Sequence, residues 1–206
     1  MDKRWRRKVA SELSDNLPRN AQVLDIACGT GDLALSLFEV LDVRVVGADF
    51  CRPMLEIATK KAAKLKASIP FIEADALALP FRDDSFDAVT IAFGLRNLAS
   101  VEDGLTELYR VLKPGGRAAI LEFSQPKLPF RSGFKLYFTK LLPLLGGIVS
   151  GSRSAYEYLP DSVSRFPDQE RLALLIRDSG FEDVSYLNLT GGVAALHLGT
   201  RPQRSS

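Results

Sequence analysis

Two glycines and two carboxylates pose the first chemical question. An apolar run, Val23-Leu-Asp-Ile-Ala-Cys, passes through the turn Gly29-Thr30-Gly31 into Asp32. A second apolar run, Val43-Arg-Val-Val-Gly-Ala, ends on Asp49, 18 residues beyond Gly31. An acid at the tip of the next strand can accept hydrogen bonds from both hydroxyls of a ribose. The pattern therefore points to a nucleoside-containing cofactor. Gly29, Gly31 and Ala34 also fit the dinucleotide fingerprint with Ala in third place, which admits NAD or FAD. A pyrophosphate, however, sits on a helix N-terminus, where Asp32 and the strand residue Asp25 would repel it. S-adenosylmethionine brings an ammonium and a sulfonium, which carboxylates favour, so the charges favour the methyl donor. Asp75, after the third apolar run, is placed to accept from the exocyclic amine of an adenine. Met54, Ala76 and Leu77 could form an apolar slot around its ring.

These residues need elements to hold them. Strands are expected at 23–28, 43–49, 69–74, 86–93 and 117–123. Helices are expected at 2–17, after Gly31, at 53–65, 101–112 and 168–179. Lys113-Pro-Gly-Gly116 reads as a helix stop. The runs 184–189 and 193–198 flank Thr190-Gly-Gly192 and read as a closing hairpin. Strand and helix alternate five times, which calls for a parallel sheet with helices on both faces and an antiparallel last strand. The carboxyl ends of the first four strands then line one crevice.

The chain has 206 residues, enough for one domain, and 46% are hydrophobic, ample for a core. A net charge of +2 gives no general affinity for nucleic acid. The run Lys3-Arg4-Trp5-Arg6-Arg7-Lys8 reads as a solvated helix face, with a membrane-surface contact or an import remnant as the sharper alternatives. Cys28 and Cys51 lack metal-ligand company and the single His makes a His-based metal site improbable. An intracellular, cytoplasmic setting is the expectation.

Five segments together resemble the ubiquinone/menaquinone biosynthesis C-methyltransferase family. They are Val23-LDIACGTGDL-Ala34, Ala74-DALALPFRDDSFDAVTIAFGLRN-Leu98, Tyr109-RVLKPGGRAAILEFS-Gln125, Ser154-AYEYLPDSVSRFPDQERL-Ala173 and Gly180-FEDVSYLNLTGGVAALHLG-Thr200. The first and third occur in many methyltransferases. Phe93-Gly-Leu-Arg-Asn97 and Asn188-Leu-Thr-Gly-Gly-Val-Ala-Ala-Leu-His197 are particular to this family. The resemblance implies a Rossmann-like class I methyltransferase fold with a mostly parallel seven-stranded sheet. It implies a single domain over 1–206, with a substrate lobe inserted at about 126–166. The donor is S-adenosylmethionine, with S-adenosylhomocysteine as product, and the acceptor is a lipophilic polyprenylated quinol. Family donor contacts fall on Thr30, Asp49, Asp75 and Ala76, and Ala92 stands where the family usually has Ser. Cys28 stands where Gly is common. The family's segment ahead of the first helix, a lid over the cofactor, is expected to be absent here, and an apolar face so uncovered would favour a homodimer.

The implied reaction is attack of a ring carbon on the sulfonium methyl, aided by loss of a neighbouring phenol proton. Arg96 is the expected phenolate partner, and Asn97 is expected to orient a ring oxygen. The bland reading has Arg96 pairing with an acid and Asn97 turning the chain. His197 reads as a proton acceptor or as a satisfied core residue, with Tyr156 and Asp161 as outsiders. Glu122 reads as a pocket-lining or a surface acid. The segment 129–150 places Phe130, Phe134, Tyr137, Phe138, Leu141, Leu142 and Leu145 at helical spacing around Lys135 and Lys140. It reads as a core helix or as a tunnel for an isoprenoid tail with peripheral contact to the inner face of a membrane. Two rivals remain: methylation of another small phenol or lipid, and a low-activity cofactor-binding subunit of a quinone-biosynthesis assembly.

Overall fold

The structure, a computed structural model, describes residues 3–14, 17–124 and 166–203. Its elements are α1 (Lys3–Ser14), β1 (Ala21–Ile26), α2 (Asp32–Val40), β2 (Val43–Asp49), α3 (Arg52–Lys64), β3 (Phe71–Glu73), β4 (Phe86–Ala92), α4 (Val101–Val111), β5 (Leu112–Phe123), α5 (Gln169–Asp178), β6 (Glu182–Leu189) and β7 (Ala194–Thr200). The strands form one sheet in the order β3-β2-β1-β4-β5-β7-β6. Neighbours from β3 to β5 are parallel, and β7 lies antiparallel between β5 and β6. This is a Rossmann-like, mostly parallel seven-stranded sheet with helices on both faces, as expected from the sequence.

The pattern of β1 explains its central place. Val23 faces one layer of the core, with α1 and α2, while Leu24 and Ile26 face the other, with α4 and α5. A strand covered on both faces needs such a continuous apolar run. The helices supply the other half of each layer. Ser100 caps α4 by accepting from Asp103 N–H at 3.1 Å, and Leu105, Leu108 and Val111 then follow one another on its buried stripe. Asp168 caps α5 in the same way, accepting from Arg171 N–H at 2.8 Å.

Several boundaries depart from the expected ones, and three of the departures have a plain physical cause. β3 is a three-residue edge strand, because Pro70 has no N–H for the ladder and contributes only its carbonyl, to Gly47 N–H. Lys113-Pro-Gly-Gly116 is drawn into β5 rather than left as a connector. Gly115 N–H donates to the Arg201 carbonyl and Arg201 N–H donates to the Gly116 carbonyl, so the chain's end holds this bulged stretch against the sheet. β7 continues to Thr200, because it pairs along the whole of residues 117–123.

β1 neighbours both β2 and β4, so the connections diverge there and open a crevice at the carboxyl ends. Gly31, in the left-handed region at φ 76°, lets the chain turn from β1 into α2. A Cβ on Gly31 would lie 2.9 Å from Ala58 Cβ and 3.0 Å from the Phe71 ring. Gly31→Ala is therefore expected to lower unfolding free energy by about 1–3 kcal/mol. Urea unfolding of the two proteins measures it, and an unchanged midpoint would show that the turn is not constrained as described.

Candidate active site

The crevice holds a cavity of about 640 Å³, lined from the ends of β1, β2, β3 and β4. Its organising group is the Asp49 carboxylate. Gly29 N–H donates to Oδ2 at 2.7 Å and Cys51 N–H donates to Oδ1 at 2.9 Å. One side chain thus ties the glycine turn after β1 to the start of α3. An ionised carboxylate has about four lone-pair sites, so two remain for a ligand, and Asp49 lines the cavity. Gly29, Met54, Asp75 and Ala76 line it too. Met54 leans toward Gly29, where a built Cβ would sit 3.7 Å from its Sδ. Asp75 accepts from Leu77 N–H at 2.9 Å, an Asx turn that presents its exposed carboxylate at the rim.

The remaining expected donor contacts lie behind this wall. Gly31 is buried against Ala58 and Phe71. The Thr30 hydroxyl accepts from Lys61 Nζ at 2.8 Å. Ala92, the last residue of β4, packs with Phe93 against the α1 side of the core. Asp25 is 1% exposed and accepts from the Thr90 hydroxyl at 2.8 Å. Burial pushes its carboxyl up to about 7, against the pull of the Thr90 hydrogen bond.

These positions weaken the charge reasoning that set the methyl donor against a dinucleotide. Asp32 does not stand bare at the helix start: Lys61 Nζ is 2.9 Å and Arg6 Nη1 3.5 Å from its Oδ1. Asp25 carries only part of a charge near neutrality. The repulsion expected from the two acids is therefore smaller than their sequence positions suggest, and the expected cofactor groups that face the cavity are Asp49, Gly29, Met54, Asp75 and Ala76.

Arg96 and Asn97 sit on the turn Leu95–Asn97 beyond β4 and line the same cavity. Phe93, at φ 58°, bends the chain out of the strand. Gly94 is required at its place, because a Cβ there would be 2.5 Å from Ala27 Cβ. Asn97 is exposed and its Nδ2 is 3.4 Å from the Phe93 carbonyl. Arg96 is paired, as the bland reading had it, with Glu122 at 2.6 Å. Glu122 is thus neither a surface acid nor a lining residue: it is 1% exposed, below Arg96. The register Ala92↔Leu121 puts the end of β5 beside the turn after β4, which is why Glu122 lies beneath Arg96.

His197 is not brought to the cavity. It is 1% exposed on β7, its Nε2 lies 2.9 Å from the Gln169 carbonyl, and Tyr186 covers it at 5.5 Å between centroids. Burial pushes its imidazole below the ordinary value. Its place follows from β7 lying between β5 and β6, with this side chain turned toward α5. Tyr156, Asp161 and the segment 129–150 lie outside the described residues. Phe50, 77% exposed beside Asp49, lines the cavity without any sequence signal to mark it. Cys28 and Cys51 are free thiols, and burial pushes that of Cys28 up.

Asp25 makes a pH prediction. Its value rises from 3.8 to about 7 on folding, so over that window the folded state holds a proton the unfolded chain has lost. Its contribution to stability is present at low pH and lost as pH rises through about 7. Asp25→Asn, which keeps an acceptor for Thr90, is expected to match the parent near pH 4 and to exceed it in melting temperature at pH 8. Parallel melting curves that stay equally spaced across this range would contradict it.

Known proteins resemble this chain in sequence and in fold. The ubiE/COQ5 methyltransferase family profile matches residues 1–201. A demethylmenaquinone methyltransferase of Thermus thermophilus is 52% identical over 203 residues, 98% of this chain and 91% of the relative. The ubiquinone/menaquinone biosynthesis C-methyltransferase UbiE of Geotalea uraniireducens is 41% identical over 206 residues, 98% of this chain and 86% of the relative. Among solved structures, a SAM dependent methyltransferase from Aquifex aeolicus superimposes with a TM-score of 0.69 at 20% identity, covering 95% of this chain and 88% of that one, a likeness of fold. With the profile spanning nearly the whole chain, the protein belongs to the ubiE/COQ5 methyltransferase family.

Proposed function

We propose that this protein methylates a ring carbon of a polyprenylated quinol, with S-adenosylmethionine as donor and a demethylmenaquinol as the first acceptor to test. The observation that carries the reading is the meeting of two sets of groups on one cavity: Asp49 and Gly29 on one wall, Arg96 and Asn97 on the other. Two relatives at 52% and 48% identity, named demethylmenaquinone methyltransferase, support the naphthoquinol over the benzoquinol.

The residues fit the donor. Asp49 is held by two backbone N–H groups and keeps lone pairs for a ribose diol. Asp75 stands one strand further along for an adenine amine, and Met54, Ala76 and Leu77 supply apolar surface beside it. When bound, S-adenosylmethionine supplies an electrophilic methyl group on a sulfonium. The protein's part is to orient the acceptor ring and stabilise its phenolate. Arg96 cannot act as a base, since its guanidinium stays charged; it offers a fixed cation to the phenolate oxygen. Asn97, exposed at the rim, can donate to the second ring oxygen. A carbon–carbon bond forms as the carbon–sulfur bond breaks, S-adenosylhomocysteine leaves with the electron pair of that bond, and the proton lost from the ring passes to water.

Among the described residues no helix is long and apolar enough to cross a membrane. A polyprenylated acceptor resides in a bilayer, and the reading therefore includes peripheral contact at the inner face of the membrane, with the segment 126–166 as the lobe proposed to receive its tail.

Methyl transfer from labelled S-adenosylmethionine to demethylmenaquinol tests the reading. Arg96→Ala is expected to lower turnover by roughly 100-fold or more, the loss seen when one charge-stabilising donor is removed. Asp49→Asn is expected to weaken donor binding in calorimetry by about 1.5–3 kcal/mol. Transfer to a different phenol but to neither a naphthoquinol nor a benzoquinol would overturn the substrate assignment. Donor binding without any transfer would favour the cofactor-binding subunit instead.

A further inference from the structure

Arg96 and Glu122 form an ion pair that is almost dry, with side chains 4% and 1% exposed. Glu122 accepts from Arg96 Nη1 at 2.6 Å, from Phe123 N–H at 2.8 Å and from Arg96 N–H at 3.3 Å. Arg96 Nη1 also donates to the Phe93 carbonyl at 2.6 Å. The guanidinium carbon lies 5.8 Å and 5.2 Å from the centroids of Phe93 and Phe123, whose rings are themselves 4.5 Å apart. Trp5 of α1 continues the stack on Phe93 at 5.8 Å and donates to the Thr190 hydroxyl at 3.0 Å. The guanidinium is therefore fixed by a carboxylate, a carbonyl and two aromatic rings.

Such a pair is a poor way to gain stability. Desolvating two charges can cost more than their contact returns, and apolar residues of similar volume often do as well. Its geometry suits another purpose. Arg96 Nε is buried and finds no acceptor among the described residues, while Arg96 lines the cavity. A buried donor without an acceptor is costly, a second sign that Arg96 is held where stability alone would not put it. The carboxylate behind the guanidinium also prevents a lone buried cation when no acceptor molecule is bound.

We propose that Glu122 is a positioning residue of the methyl transfer: with the Phe93 and Phe123 rings it clamps Arg96 at the cavity wall, so that the guanidinium stays a fixed cation beside the oxyanion of a phenolate. The proposal rests on the quinol reading given above. Glu122 does not line the cavity, so it acts through Arg96 and takes no proton from the acceptor itself. Among the described residues, Asp49 and Asp75 are the other charged groups facing this cavity, with the Cys51 thiol beside them, and all three stand on the donor side.

Glu122→Gln tests it, with turnover on demethylmenaquinol followed across pH and donor binding followed by calorimetry. A misaligned Arg96 is expected to lower kcat by about 100-fold, with donor affinity unchanged. The acid limb of the kcat profile moves to higher pH, because a displaced cation lowers the phenol pKa less. Glu122→Asp keeps the charge but shortens the reach, and is expected not to restore kcat. An unchanged kcat in Glu122→Gln, an acid limb moved to lower pH, or full activity in Glu122→Asp would each overturn the positioning role. Should Glu122→Gln fail to fold, Phe123→Leu removes one ring of the clamp and must show the same shift of the acid limb in smaller measure. No shift there overturns the proposal as well. If the unaltered protein transfers methyl to no quinol, the function reading falls and takes this one with it. Equal transfer by the unaltered protein and Glu122→Gln overturns the positioning role alone.

Discussion

Asp49, 6% exposed, receives the Gly29 N–H and the Cys51 N–H on its two oxygens, and the cavity takes its shape from that bridge. β1 and β2 end side by side, and each must reverse into a helix. The two reversals are locked together by one carboxylate, which still presents lone pairs outward. The glycine turn can then pack closely, with Gly31 against Ala58 and Phe71, only because no side chain intervenes. The atoms that join the two turns are the same ones that face the cavity. A change at Asp49 therefore touches both the ligand wall and the packing of α2 and α3 behind it.

The opposite wall uses a different physical device. Beyond β4 the chain is bent through Phe93 at positive φ and through Gly94, which no Cβ could replace without striking Ala27. That strained exit carries Arg96 over the end of β5, where Glu122 waits in parallel register. Strain and buried charge are both costly, and their presence together at the edge of a ligand cavity is characteristic of a site whose geometry matters more than its stability. Trp5 and Thr190 extend the same cluster to the first helix and to the turn before β7. Elements far apart in sequence thus meet around one guanidinium.

The alternation of elements, the parallel strands, the closing hairpin and the crevice were legible in the sequence because each rests on local periodicity and turn chemistry. Asp49, Gly29, Met54, Asp75 and Ala76 were legible because each follows directly after a strand or begins the helix that comes next. What could not be read depends on registers between strands. Glu122 needed the β4–β5 register to be seen beneath Arg96. His197 needed the place of β7 inside the sheet to be seen facing α5, away from the cavity. Asp32 looked like a bare acid at a helix start, yet Lys61 and Arg6 reach it from α3 and α1. Lys113-Pro-Gly-Gly116 was legible as a helix stop, since α4 ends at Val111, but its pairing into β5 depends on the distant backbone of Arg201.

Whether this cavity directs the methyl group to carbon is the point on which everything functional rests. The most direct measurement is the identity of the product after incubation with demethylmenaquinol and a donor carrying a ¹³C methyl group. The geometry predicts a single labelled methyl attached to a ring carbon, with both quinol oxygens unmodified. Label on a phenol oxygen, or no labelled quinol while the donor is bound, would contradict it.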